Sequence, residues 1–309
     1  RGVPAHGRRT MSTTSGALGA VYDRGYRPYD GPRGGRRDGA FALYRASIRR
    51  ALGIRRPWRQ KVFPWVLLAI ATVPAIINVG VGYVTRDQPQ ANFQFITYRE
   101  YVGVSSALLL FVALTAPDVV CPDRRHRVLP LIFARPLVGV DYVLAKVGAI
   151  GTILFAFSFL PQVVLFVGQM LVSKGALHYF TDNAEVLWKV PISVLLLAVY
   201  YAAVGVAVSS LTSRRIVAGV TILGLALVPS VITGILLDSG NRDGTGTLAV
   251  LNLLALPLHL RDLIFLGHTD PEGPLNGVDY GGLLAVIAYV GVLATAFGIL
   301  FARYRRPEG

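Results

Sequence analysis

Six long apolar runs dominate the chain and predict a protein that crosses a membrane several times. A helix needs about 20 apolar residues, at about 1.5 Å each, to span a bilayer. Six uncharged stretches reach or approach that length: Val62–Val84, Tyr101–Pro117, Val147–Ser173, Val190–Ser213, Ile216–Leu237 and Tyr280–Ala302. We therefore expect an all-α integral membrane protein with six transmembrane helices.

A seventh apolar stretch, Gly244–Leu260, is less suited to spanning. It begins with Gly-Thr-Gly-Thr, Pro257 and His259 interrupt it, and Arg261 and Asp262 follow it directly. A segment of this length and polarity is more typical of a short helix that enters the membrane partway or lies on its surface. We expect a re-entrant or interfacial helical segment on the extracytoplasmic side between spans five and six, and both forms remain open.

The distribution of basic residues predicts the orientation. With six spans, one side of the membrane holds residues 1–61, 118–146, 212–215 and 303–309, which together contain 25 of the 31 Lys and Arg residues. The side richer in Lys and Arg is normally cytoplasmic, so we expect both termini in the cytoplasm. The net charge of +14 then indicates contact with anionic lipid headgroups, and no nucleic-acid partner is expected.

Composition divides the chain into three parts. Residues 1–40, rich in Gly, Arg, Asp and Pro, are expected to be mostly irregular, residues 41–60 to contain an amphipathic interfacial helix, and residues 61–306 to form the six-span domain. The helix is predicted over Phe41–Ile54, with arginines on the side opposite its apolar residues. The apolar side comprises Phe41, Tyr44, Ile48, Ala51 and Leu52, and the basic side Arg45, Arg49 and Arg50. The alternative is a solvated helix that packs on a partner.

Catalytic patterns are missing from the sequence. None of the four lysines follows a glycine, so the phosphate loop GxxxxGK[ST] of an ATPase is absent. Neither an HExxH metal motif nor a GxSxG nucleophile motif occurs. The single Cys121 excludes an internal disulfide. We therefore expect a subunit that is not an enzyme and binds neither a cofactor nor a metal itself.

A few polar residues in or near the spans are candidates for a substrate path: Asn78, Glu100, Ser105, Gln162 and Gln169. Each has a simpler interpretation. The uncharged residues are suited to hydrogen bonds between packed helices. Glu100 is expected at the outer end of the second span, where a carboxylate facing water is ordinary. Because paired carboxylates are absent from the spans, ion-coupled transport is disfavoured.

The predicted cytoplasmic loop between spans two and three, residues 118–146, carries the strongest functional signal. Its polar cluster consists of Asp123, Arg124, Arg125, His126 and Arg127. An apolar stretch over residues 128–134 follows, and then a turn at Arg135 and Pro136. A short amphipathic segment bounded by prolines at a membrane face is suited to docking on another protein. The alternative is an ordinary basic loop whose charge only reflects orientation.

These residues resemble those of the permease subunits of ABC-2 type ABC transporters. That family typically shows, in this loop, a charged cluster, a leucine-rich stretch, Ala-Arg-Pro, an acidic residue and a lysine that opens the third span. The matching residues here are Leu129, Leu131, Ile132, Ala134, Arg135, Pro136, Asp141 and Lys146. Val128 departs from the pattern, since many members have Gly-Thr after the charged cluster. Weaker similarities at 26–33 and 251–257 extend the resemblance over roughly residues 22–306.

The resemblance implies a plasma-membrane permease that pairs with a separate ABC ATP-binding subunit, which holds the ATP and Mg, and with a second permease copy or paralogue. It implies that the loop over 118–136 is the coupling helix. Asp123, Arg124, Arg125 and Arg127 would make the contacts with the ATPase. The cargo would be an exported amphiphile. Two alternatives stay open: a membrane-anchored structural or sensory partner without transport activity, and an ATP-independent carrier.

Overall fold

The computed structural model describes residues 34–54, 58–85, 97–102, 105–134, 136–173, 175–239 and 246–305. These residues contain no β-strand; they form α1 (Arg36–Ala51), α2 (Trp58–Thr85), α3 (Tyr98–Val102), α4 (Ser105–Arg125), α5 (Leu129–Phe133), α6 (Gly139–Val172), α7 (Ala176–Asp182), α8 (Val186–Leu211), α9 (Arg215–Ser239), a 3₁₀ helix (Gly246–Leu251), α10 (Leu256–Leu266) and α11 (Gly281–Arg305).

Six helical segments in the described part of the chain are long and apolar enough to cross a membrane, as predicted. They are α2, α3 together with α4, α6, α8, α9 and α11. Of the residues in the most apolar stretch of each span, 73% are buried in the segment formed by α3 and α4 and 67% in α8, against 11% in α2 and 17% in α9. The second and fourth candidate spans therefore form the centre of the bundle, and the first and fifth lie at its periphery.

Contacts between the ends of the long helices define two ends of the bundle. The last turn of α4 meets the beginning of α6, where Asp123 pairs with Lys146. Arg215, at the beginning of α9, pairs with Asp118 of α4. We call this the basic end, because Arg124, Arg125 and Arg127 lie here, and the opposite one the far end. At the far end, Lys189 near the start of α8 donates to the carbonyl of Phe265 in α10.

The predicted loop over residues 118–146 is wrong in extent. The helix α4 continues through Pro117 and Pro122 to Arg125, and α6 begins at Gly139 rather than Val147. Only residues 126–138 connect the two helices, and they include the short helix α5. The apolar runs predict both helices to be shorter than they are. Charged residues in their end turns, such as Asp118 and Asp123, pair with residues of other helices and need not face water.

The N-terminal helix also differs from its prediction. It begins at Arg36 rather than Phe41, so residues 36–40 are helical rather than irregular, and it ends at Ala51. Its start is stabilised by Asp38, whose carboxylate accepts a hydrogen bond of 3.0 Å from the Gly35 amide. The helix packs along α6, where the Tyr44 hydroxyl lies 2.8 Å from that of Thr152.

The seventh apolar stretch forms a hairpin made of the 3₁₀ helix and α10; residues 244–245 lie outside the described residues. Tyr200 and Tyr201 donate to the carbonyls of Leu253 and Leu254 at 3.0 and 2.9 Å. Tyr200 lies about 21 Å along α8 from its start at the far end. These contacts place Leu253 and Leu254 against the middle of α8.

Candidate functional site

A buried ion-pair cluster centres on Asp123 in the last turn of α4. Lys146 Nζ lies 2.6 Å from Asp123 Oδ2, and Arg50 Nη1 lies 2.6 Å from Oδ1. The Tyr142 hydroxyl donates to Oδ2 at 3.1 Å. The cluster thus joins α1, α4 and α6. Buried charges persist only when they are paired and hydrogen-bonded, and both carboxylate oxygens here are.

The same two turns of α4 bind α8 and α9. Asp118 pairs with Arg215 at 2.6 Å, and Arg124 donates to the carbonyl of Ser210. Ser210 lies in the last turn of α8, where unpaired carbonyls favour a nearby cation. Residues 118–124 are therefore an anchored structural element to which four other helices are attached.

This arrangement corrects two sequence-based assignments. Asp123 was expected to contact a partner, but its side chain is buried and both its oxygens are engaged within the chain. Arg50 was expected on the side of α1 facing away from the apolar residues, but it turns toward Asp123. The sequence does not reveal either fact, because the pairing brings together residues 73 positions apart.

The side chains that follow Asp123 are mostly exposed. Arg124 is half-buried against α8, whereas Arg125, His126 and Arg127 are exposed. The chain reverses at Arg127, which has a left-handed φ of 51°. The amides of Arg127 and Val128 donate to the carbonyls of Arg124 and Asp123, the pattern of a Schellman motif.

The short helix α5 is apolar throughout but has no buried residue. Leu131 is 71% exposed. We call the surface formed by Arg125, His126, Arg127 and α5 the α5 patch. Of the turn predicted after it, Pro136 is exposed, and Arg135 lies outside the described residues.

The candidate substrate-path residues do not converge on one site among the described side chains. Gln169 of α6 donates to the side-chain oxygen of Asn78 in α2 at 3.3 Å. Gln162 donates to the Tyr98 carbonyl at 3.4 Å. Both contacts connect neighbouring helices, which is the simpler of the two interpretations that the sequence allowed.

The two other path candidates are less informative. Glu100 is exposed and accepts a hydrogen bond of 3.0 Å from the Thr97 amide, so it stabilises the start of α3. The side chain of Ser105 lies outside the described part of the structure.

A second polar cluster, at the far end, was not expected from the sequence. Arg261 pairs with Asp262 at 2.6 Å, and Arg99 lies 3.3 Å from Asp270 and 3.9 Å from Asp262. Burial lowers the pKa of the neighbouring His259 below its ordinary value. The cluster connects α3 to α10 and the loop after it. In the sequence, the one indication of this cluster is the charged pair Arg261 and Asp262, which ends the seventh apolar run.

The chain matches no protein-family model, and a search of curated proteins finds no relative. Its function is therefore inferred from its residues and their geometry.

Proposed function

We propose that the chain is the permease subunit of an ABC-2 type ABC transporter, located in the plasma membrane with both termini in the cytoplasm. In this proposal a separate ATP-binding subunit, which holds ATP and Mg, docks on the α5 patch. The permease provides the membrane path for an exported amphiphile.

The α5 patch is the observation that carries the proposal. A five-residue apolar helix without a buried side chain lies between two candidate spans, next to three exposed basic or titratable residues. Leu129, Ile132 and Phe133 pack partly against the core, so the exposed apolar part of α5 consists of Pro130 and Leu131. Exposed apolar residues beside a basic cluster are suited to an interaction surface. An acidic, partly apolar groove on a partner would complement it.

The attachment of α4 supports a coupling role for this patch. The patch begins directly after Arg124, and the preceding turns are bonded to α1, α6, α8 and α9. A force applied to α5 would therefore be transmitted to several helices together. Such coupling requires that the patch makes different contacts in different states of the ATPase.

The periphery of the bundle supports a second permease copy or paralogue as a partner. The helices α2 and α9 are the least buried of the six candidate spans. Their exposed apolar residues would face lipid or a second permease, and a path for an amphiphile would lie between two such subunits.

The proposal is tested by recovering the ATPase through a tag at the C-terminus, from membranes of the native host. We expect a protein that contains a phosphate loop to be recovered with the wild type. Arg125→Glu/Arg127→Glu should lose it, because the reversed charges would repel an acidic groove. The matched control is Arg214→Glu/Arg305→Glu, which changes two exposed arginines at the same end but outside the patch.

Equal recovery by both double variants would contradict docking at the patch. If the wild type recovers no ATPase, the permease assignment fails and a membrane-anchored partner without transport activity becomes the better interpretation.

A further inference from the structure

A groove of about 460 Å³ runs between α6 and α8. Its lining is almost wholly apolar and includes Gly148, Gly151, Phe155, Pro191, Leu195 and Val199. Its volume lies within the range of about 300–1,000 Å³ that is typical of ligand pockets. A smaller cavity of about 110 Å³ also includes Pro191 and continues the groove toward the far end.

The groove opens sideways, toward the surroundings of the bundle. Leu195, on its wall, is 51% exposed, and the neighbouring Ile192 is exposed as well. In a protein that spans a membrane, an apolar opening on this side faces lipid chains. Along α6 the main groove extends from Val147 to Phe155, about 12 Å, which is close to the thickness of about 15 Å of one leaflet of the hydrocarbon core.

An aromatic pair from α1 lies beside the groove, where Tyr44 contacts α6 between Gly148 and Thr152. The Tyr44 hydroxyl bonds to Thr152, which lines the groove, and the Tyr44 ring lies beside Gly148. Phe41 stacks on Tyr44 with 6.1 Å between ring centroids and is largely exposed. Aromatic side chains are enriched at the level of the lipid headgroups.

Basic residues flank this aromatic pair. Arg37 and Arg45 are exposed and lie four residues before and after Phe41, so they share its face of α1. Arg49 is exposed one turn further along. The one carboxylate of α1, Asp38, is bonded to the Gly35 amide. An exposed helix face with arginines around an aromatic residue favours an anionic headgroup.

We infer that the groove between α6 and α8 holds an acyl chain of an anionic phospholipid, whose phosphate is bound by the exposed arginines of α1. This site would make α1 part of a specific lipid site as well as part of the bundle. The inference depends on membrane insertion but not on an ATPase, so it can fail or hold independently of the proposed function.

Native mass spectrometry tests this inference on the whole protein released from micelles that contain equal amounts of phosphatidylglycerol and phosphatidylcholine with the same acyl chains. We expect the wild type to retain phosphatidylglycerol preferentially. Each arginine near an anionic headgroup contributes about fivefold in affinity. Arg45→Gln/Arg49→Gln should therefore reduce the preference by roughly tenfold or more.

Filling the groove should act differently from removing the charge. Leu195→Trp should reduce retention of both lipids, because the larger side chain occupies the space of the acyl chain. The matched controls are Leu227→Trp, an exposed apolar residue on α9, and Arg214→Gln/Arg305→Gln at the basic end. Both controls should behave as the wild type.

The inference is overturned if Leu195→Trp retains lipid as well as its control does, or if the arginine variant keeps the full preference for phosphatidylglycerol. A wild type that retains the two lipids equally would also overturn it.

Discussion

Charged residues at the basic end fall into two groups according to burial. Asp123 and Lys146 are buried and paired, and their pairing joins two helices. Arg125 and Arg127 are exposed and begin the α5 patch. The sequence shows all four as charged residues near a span, but it does not distinguish the groups, because the distinction depends on which helices meet there.

The pairing of Asp123 predicts an asymmetric response to mutation. Asp123→Leu leaves Lys146 buried without its carboxylate and should destabilise the protein by about 3–5 kcal/mol. Asp123→Leu/Lys146→Met should recover most of that loss, because apolar residues of similar size replace the pair and the partly exposed Arg50 can be hydrated. Thermal unfolding of the purified protein in detergent measures both effects.

The matched control for these variants is Arg125→Gln, an exposed change that should alter the free energy of unfolding by less than about 0.5 kcal/mol. If the double variant is no more stable than Asp123→Leu, the pair does not act as a unit.

Individual helices were predictable where apolar residues decide their extent, and less so at their ends. The runs locate all six candidate spans, but they end α4 at Pro117 although the helix continues to Arg125. Proline interrupts a helix mainly by freeing the carbonyl four residues earlier. That carbonyl belongs to Ala113, and its oxygen lies where α9 approaches at Gly219. This close approach of α9 depends on the tertiary packing and cannot be seen in the local sequence.

This close approach of α9 to α4 gives a prediction. A Cβ at Gly219 would lie 2.8 Å from the backbone oxygen of Ala113, so Gly219→Ala must displace one helix and should cost about 1–3 kcal/mol. Gly224→Ala, in the same helix, has open space and should be neutral or stabilising by up to about 1 kcal/mol. Thermal unfolding of the two variants compares them, and equal stability would contradict the contact.

The hairpin after α9 gives another prediction at this scale. The Tyr200 and Tyr201 hydroxyls satisfy the carbonyls of Leu253 and Leu254 inside the bundle. Tyr200→Phe/Tyr201→Phe leaves both carbonyls without these donors, at about 1–3 kcal/mol each. We expect faster amide hydrogen exchange across residues 252–258, whereas Tyr280→Phe, which changes an exposed tyrosine, should have no effect. Unchanged exchange in the double variant would mean that the hairpin is held by other contacts.

At the scale of the whole molecule, the sequence predicts an all-helical protein with six apolar spans, and the described residues contain six helical segments long and apolar enough to cross a membrane. It does not predict which helices form the centre. All six runs are similarly apolar, yet 67% of the residues in the apolar stretch of α8 are buried against 11% in that of α2. The difference depends on small residues such as Gly205, beside which α4 packs closely, and their contribution appears only once the helices are assembled.

The sequence predicts the chemical character of the candidate site but not which of its residues are buried. The chemical character of residues 123–136 suggested docking, and the exposed part of that segment retains this character. The structure changes its extent, because Asp118, Asp123 and Arg124 are bonded to other helices of the bundle. The proposed docking surface is therefore smaller than the predicted loop, and it follows a helix end that is bonded to four other helices.

The most direct test of the central claim is photo-cross-linking in native membranes, with a photoreactive benzophenone amino acid in place of Leu131. Leu177, in α7 at the far end and 84% exposed, is the matched control position. We predict that a protein with a phosphate loop, identified by mass spectrometry, is cross-linked from position 131 and not from position 177. No such product at position 131, or equal yields from the two positions, would contradict an ATPase that docks on the α5 patch.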